Sequence, residues 1–235
     1  MYLSRLILNP RSRDVRRDLA NCQDLHRTLL RAFPPESGGP AAVRRKHGVL
    51  HRLEEHPRTR MPSLLVQSET PPDWSRLPEK YLTPPEDEHQ ECKNIESLVD
   101  TIEQGRQLRF RLRANPTRKV NTKTQPGEGK NNGRREPLRT EQEQIDWMRR
   151  KAEAGGFELL SVRASPGVPN LRVIEDRAIN AARGKKSNGR RMTFHSVLYE
   201  GCLRVVDPKA FRECLRAGIG SAKAYGFGLL SIAPG

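Results

Sequence analysis

Four glycines, one lysine and one tyrosine crowd the segment Gly218-Ile219-Gly220-Ser221-Ala222-Lys223-Ala224-Tyr225-Gly226-Phe227-Gly228. Glycine has no Cβ, so the backbone there can approach a ligand closely and aim successive N–H groups at an anion. Lys223 adds a point charge suited to a phosphate. We count Gly218, Gly220, Ser221, Lys223, Tyr225, Gly226 and Gly228 as candidate binding residues. The plainer alternative is a turn into an edge strand. No Gly-Lys-Ser/Thr triplet opens a helix, and the loop precedes a strand rather than following one. Neither the Walker A loop nor the dinucleotide fingerprint therefore applies.

The whole chain is cationic: 43 Lys and Arg against 28 Asp and Glu give a formal charge of +15 over 235 residues. That balance favours a polyanion, and nucleic acid first. Apolar runs are only a few residues long, and no amphipathic helix has a wide apolar face flanked by lysines, so a membrane partner is not expected. The opening Met1–Leu8 is too short and interrupted for a signal peptide, and a cytoplasmic location is expected. Cys22, Cys92, Cys202 and Cys214 form no C-x-x-C pair and read as reduced thiols. His47, His51 and His56 lack a partnering cysteine or carboxylate cluster, so neither a metal site nor any cofactor is expected.

Stepping along the chain, the pattern is mixed. Tyr2–Asn9 reads as a strand and Arg11–Arg17 as a basic loop. Asp18 reads as the N-cap of a helix from Leu19 to about Ala32, ended by Pro34-Pro35. Its stripe is Leu19, Cys22, His26, Leu29 and Phe33, one helical face. A lone histidine on such a stripe is usually a core residue. His47–Glu55 and Ser63–Gln67 read as strands. A proline-rich stretch, 71–85, leads to a domain boundary between Pro84 and Glu96, with domains 1–88 and 89–235.

The second half repeats the pattern. In Arg106–Ala114, Leu108, Phe110 and Leu112 alternate with Arg109, Arg111 and Arg113, giving one apolar and one basic face. Asn115–Arg139 reads as a mobile insert. Thr140 with Glu143 makes a capping box for a helix to Ala154. Phe157–Ala164 reads as a strand, and Arg172–Gly184 as a further extended segment. Lys185, Lys186, Arg190 and Arg191 sit in a basic loop that can follow an A-form groove. Met192–Tyr199 and Cys202–Val206 read as a hairpin turning at Glu200-Gly201. Asp207-Pro208 opens a helix with an N-cap and N1 proline, which ends at Gly218. The expected fold class is α+β: two tandem ferredoxin-like (RRM-like) domains with antiparallel sheets, each roughly β-α-β-β-α-β.

Several segments in the same order resemble the CasE family of type I-E CRISPR repeat-RNA endoribonucleases, within the RAMP superfamily. They are Leu25-His26-Arg27 with Ala32-Phe33-Pro34; Val66-Gln67-Ser68-Glu69; Leu108 through Thr117; and the Gly218–Ile232 tail. The resemblance implies metal-independent cleavage of precursor CRISPR RNA beside a repeat hairpin. It also implies the repeat RNA and other Cascade subunits as partners. His26 matches the family's catalytic histidine. RNA supplies its own nucleophile, the 2′-OH, and histidine suits proton transfer near neutral pH. Arg27 and Arg31, one turn apart, are candidates for offsetting charge. The products implied are a 2′,3′-cyclic phosphate and a 5′-hydroxyl. The family tyrosine three residues before the histidine is Gln23 here, which moves no proton but can hydrogen-bond RNA. A weak or inactive hairpin-binding subunit is the alternative.

Overall fold

The computed structural model describes residues 1–56, 58–83, 91–119, 135–176, 180–182 and 191–235. The first half begins with β1 (Tyr2–Ile7), α1 (Arg13–Ala20), α2 (Cys22–Leu29), α3 (Gly39–Lys46), β2 (Leu50–Glu55), β3 (Pro62–Ser68) and β4 (Glu91–Asn94). The strands pair antiparallel in the order β2-β3-β1-β4. That is the ferredoxin-like order. Where the pattern calls for a second helix, the described residues between β3 and β4 hold only a 3₁₀ turn at Trp74–Arg76.

The second half runs through α4 (Glu96–Asp100), β5 (Gln107–Ala114), β6 (Thr117–Lys119), β7 (Arg135–Pro137), α5 (Glu141–Ala154) and β8 (Phe157–Leu159). There follow β9 (Ser161–Val162), β10 (Ser165–Pro169), β11 (Leu171–Asp176), β12 (Asn180–Ala182), β13 (Arg191–Thr193), β14 (Ser196–Val205), α6 (Pro208–Ala217) and β15 (Leu230–Pro234). Strands β5, β8, β14 and β15 with α5 and α6 make a complete β-α-β-β-α-β unit, again antiparallel. Strand β11 extends the edge of β14 that β8 begins.

Each half has its own core. Leu6, Leu25, Leu29, Phe33, Leu64 and Tyr81 anchor the first; Phe110, Leu112, Trp147, Phe157, Tyr199 and Phe211 anchor the second. The alternation in β5 holds: Leu108, Phe110 and Leu112 are buried and Arg109 and Arg111 are exposed. Thr140 and Glu143 form the capping box, and Asp207 accepts the N–H groups of Lys209 and Ala210 behind Pro208. No helix among the described residues is long and apolar enough to cross a membrane.

Four local expectations fail, each for a physical reason. Arg13–Ala20 is a helix, not a basic loop, with Val15 turned into the core. Asp18 therefore lies inside α1, fully buried, taking the Tyr81 hydroxyl at 2.8 Å and the Arg17 guanidinium at 2.8 Å. The cap of α2 is Asn21, whose side chain accepts the Gln23 N–H at 3.1 Å. Glu200-Gly201 is not a turn, because β14 runs unbroken through it. A Cβ at Gly201 would stand 2.4 Å from the Asn170 carbonyl oxygen, so the glycine admits a neighbouring backbone. Finally, β4 pairs with β1, so the first sheet takes its last strand from beyond residue 88. A division after Asn94 keeps both sheets whole. Residues 120–134 of the expected insert lie outside the described residues, and its ends pair as β6 and β7.

Candidate active site between the two halves

The edge strand β2 docks the first half against the second. Arg52, only 2% exposed, donates to the carbonyls of Arg111 and Leu229 at 3.1 Å each. Glu54 holds its Nε at 2.8 Å. Burial weighs against the Glu54 charge, but Arg52 and Arg111 outweigh it and hold the carboxyl below its ordinary range. From the other side, Arg113 donates to the Leu53 carbonyl at 2.6 Å. The Val66–Glu69 segment serves the same seam. Gln67 donates to the Leu215 carbonyl at 2.8 Å, and Glu69 pairs with Arg216 at 2.8 Å.

This docking sets the glycine-rich loop over α2 and β2. The loop leaves α6 at Gly218 and is closed at its base by Ile219 N–H donating to the Gly228 carbonyl, 2.9 Å. Gly218 has φ +72°, and a Cβ there would come within 2.7 Å of Leu50 and 2.8 Å of the Gly228 oxygen. Its close approach is to the protein itself. Lys223 donates to the Ala217 carbonyl at 2.6 Å, so its ammonium closes the end of α6. Burial, then the charge of Arg44, pushes its pKa down. Gly220 lies over the Trp147 ring, and the Ser221 hydroxyl is 3.5 Å from the Asn115 carbonyl. Tyr225 packs on Phe194 with ring centroids 4.8 Å apart.

Beneath the loop lies the histidine of α2. The face of α2 that carries Cys22, Leu25 and Leu29 also carries His26, which is 6% exposed. Its Nδ1 has no hydrogen-bond partner among the described residues, and neither does the buried Gln23 Oε1 one turn before it. Burial holds the His26 imidazole down at about 4, with Arg44 and Arg27 adding to the effect. The ring is thus neutral at physiological pH and can accept a proton. His51 of β2 stacks against it, centroids 6.2 Å apart and planes 15° from parallel.

The remaining candidates are more dispersed. Arg27 is exposed and pairs with Asp24 at 3.2 Å; Arg31 is exposed on the 3₁₀ turn that follows α2. Arg109 donates to the Pro234 carbonyl at 3.0 Å. Arg111 lies between Glu200 at 2.7 Å and Glu54 at 3.4 Å. The basic face of β5 is therefore largely engaged within the protein. Lys185, Lys186 and Arg190 lie outside the described residues, as does the side chain of Arg191. Sequence reasoning missed His51, Arg44 and Arg52. Their only local signal is position on a strand or helix face, because what makes them special is contributed by the other half or by α2.

Two ferredoxin-like halves, with a buried imidazole at their seam and a glycine-rich loop above it, fit a nucleic-acid-handling protein. The chain belongs to the CRISPR-associated protein family: the family model described as "CRISPR associated protein" matches residues 1–234. It is 38% identical over 238 residues to the CRISPR-associated endoribonuclease Cse3 of Thermus thermophilus, covering all of both chains. It is 30% identical, again over all of both chains, to the CRISPR system Cascade subunit CasE of Escherichia coli K12. The structure of Cse3 bound to 19 nt RNA matches with a TM-score of 0.81 at 37% identity, covering 100% of each chain.

Proposed function

We propose that this protein is a CRISPR repeat-RNA endoribonuclease, which binds the repeat hairpin of precursor RNA, cuts beside it and remains with the product as a Cascade subunit. Full-length similarity to Cse3 and CasE supports the class. The observation that carries the site is the neutral His26 imidazole buried under the glycine-rich loop. RNA brings its own nucleophile: removal of the 2′-OH proton lets O2′ attack the adjacent phosphorus. The P–O5′ bond breaks, leaving a 2′,3′-cyclic phosphate and a 5′-hydroxyl, and no metal takes part in this scheme. Bound phosphate next to the imidazole raises its pKa from about 4 toward neutrality, so the ring both accepts and returns a proton. Arg27, Arg31 and Arg44 lie on the helices and turn around it to offset charge on the phosphorane.

RNA binding is proposed to run over the glycine loop, from Gly218 to Gly228, and along the cationic surface that includes Arg109. Cleavage of an end-labelled repeat hairpin in EDTA tests the reading. His26→Ala should slow it by about 10²–10⁴ while hairpin affinity stays within a few-fold. Full cleavage by His26→Ala removes His26 from the mechanism, and loss of wild-type cleavage in EDTA removes the metal-free scheme.

A further inference from the structure

We propose that His51 is the second proton-transfer group of this site, acting with His26 as an acid–base pair on the scissile RNA linkage. The inference rests on the endoribonuclease reading above. Cleavage by 2′-OH attack needs a proton removed at O2′ and one supplied at O5′. On α2, His26 can do either, whereas the Gln23 amide moves no proton, Asp24 is held by Asn21 and Arg27, and the Cys22 thiol is buried.

Three observations point to His51. It is 1% exposed, yet neither of its ring nitrogens has a hydrogen-bond partner among the described residues. Leaving buried polar atoms unpaired is costly, and such groups in a native structure call for a partner. The buried His47 leaves only its Nε2 without a hydrogen bond among the described residues, its Nδ1 meeting the Thr70 hydroxyl at 2.9 Å. Second, the His51 ring lies against His26, the two centroids 6.2 Å apart. Third, His51 Nε2 faces Gly226 of the glycine-rich loop, where even a Cβ would stand 3.5 Å away. Only loop backbone, with no side chain at Gly226, covers the nitrogen on the side where RNA is proposed to bind. A cleft of about 260 Å³ reaches His51 between α1, α2, β5 and the loop.

The groups facing His51 are Asp18 of α1, Cys22 and His26 of α2, Arg113 of β5 and Tyr225 of the loop. Arg27 and Arg44 act on His26. Of the two imidazoles His51 is the deeper, on the β2 side of the pair, and it is assigned as the base. Neutral His51 takes the 2′-OH proton as O2′ bonds to phosphorus. The P–O5′ bond breaks with its electron pair on O5′, and protonated His26 gives that oxygen its proton. One proton is taken and one returned, so a later proton exchange with water resets the pair.

The test uses single-turnover cleavage of a labelled repeat hairpin from pH 5 to 9. One substrate is natural RNA, and one carries bridging sulfur in place of O5′ at the cut, which leaves as a thiolate without a proton. His51→Phe keeps a ring against His26 and removes both nitrogens. It should slow natural RNA by about 10²–10⁴, keep affinity within a few-fold and stay slow on the sulfur substrate. His26→Ala should regain much of its rate on sulfur. A His51→Phe rate within threefold of wild type overturns the proposal. Rescue of His51→Phe by sulfur overturns its assignment as base.

Should His51→Phe not fold, the wild-type chain decides by NMR of its labelled imidazoles. The His51 resonances should move on binding a hairpin with 2′-deoxyribose at the cut, and unmoved resonances overturn the proposal. A wild-type chain that leaves the hairpin whole overturns the endoribonuclease reading, and this pairing with it. Wild-type cleavage beside an unaffected His51→Phe overturns the pairing alone.

Discussion

Acidification from pH 7 to pH 5 should weaken this protein through its two stacked histidines. An unfolded imidazole titrates near 6.5. In the folded chain burial, with Arg44 and Arg27, holds His26 at about 4. Burial, and the charge His26 would carry, hold His51 at about 3. Between 6.5 and these values the unfolded chain binds protons that the folded chain refuses. Stability from both groups is therefore full above pH 6.5 and is lost as pH falls. Each proton refused costs about 1.4 kcal/mol per pH unit, so each histidine costs about 2 kcal/mol by pH 5. His51→Phe removes one of the two titrations. Urea unfolding at steps between pH 7 and pH 5, above the range where most carboxylates titrate, gives stability against pH for both chains. The variant's line should be flatter by roughly 1 kcal/mol per pH unit. Parallel lines would refute the burial argument, because they would mean that His51 is as easily charged in the fold as outside it.

Arg52→Leu should cost about 3–5 kcal/mol in urea unfolding, since it unties two carbonyls of the second half and strips Glu54 of its nearest cation. A loss under about 1 kcal/mol would mean that the seam does not depend on it. Replacing Arg109, Arg111 and Arg113 with alanine should lower thermal stability and weaken hairpin binding. Each arginine on a phosphate contributes about 0.7–0.9 to the slope of log K against log salt. With Arg111 and Arg113 engaged internally, a flattening near one such unit is expected, and one of three units would place all three on RNA. Gly226→Val forces φ +88° on a β-branched residue beside His51. Hairpin affinity should fall while circular dichroism keeps the folded spectrum; unchanged affinity would leave the loop a structural turn.

Much of the scaffold is legible because its signals are local. The Thr140/Glu143 box, the Asp207-Pro208 start and the leucine–arginine alternation of β5 each need only neighbours in sequence. The first helix was hidden because its sole buried apolar residue is Val15 and its buried acid, Asp18, is explained only by Tyr81, 63 residues away. Gly201 resembles a turn glycine, and only the backbone of Asn170 reveals that it marks a close approach. The site divides in the same way. His26 lies on a readable helical stripe, and the resemblance picks it out. His51 reads as one alternating position of a strand, and its significance comes from Gly226 and His26, which no local pattern ties to it.

The seam between residues 50–53 and 226–229 also has a consequence in time. During synthesis β2 and α2 emerge long before the loop that covers them. Until about residue 229 has left the ribosome, His26 and His51 have no loop above them, and Arg52 lacks the Leu229 carbonyl it binds. The first half can fold early, but the covered pocket around His26 and His51 cannot exist in a growing chain. On the endoribonuclease reading proposed above, a nascent copy makes no cut, and competence arrives in one late step as the chain closes over its own beginning.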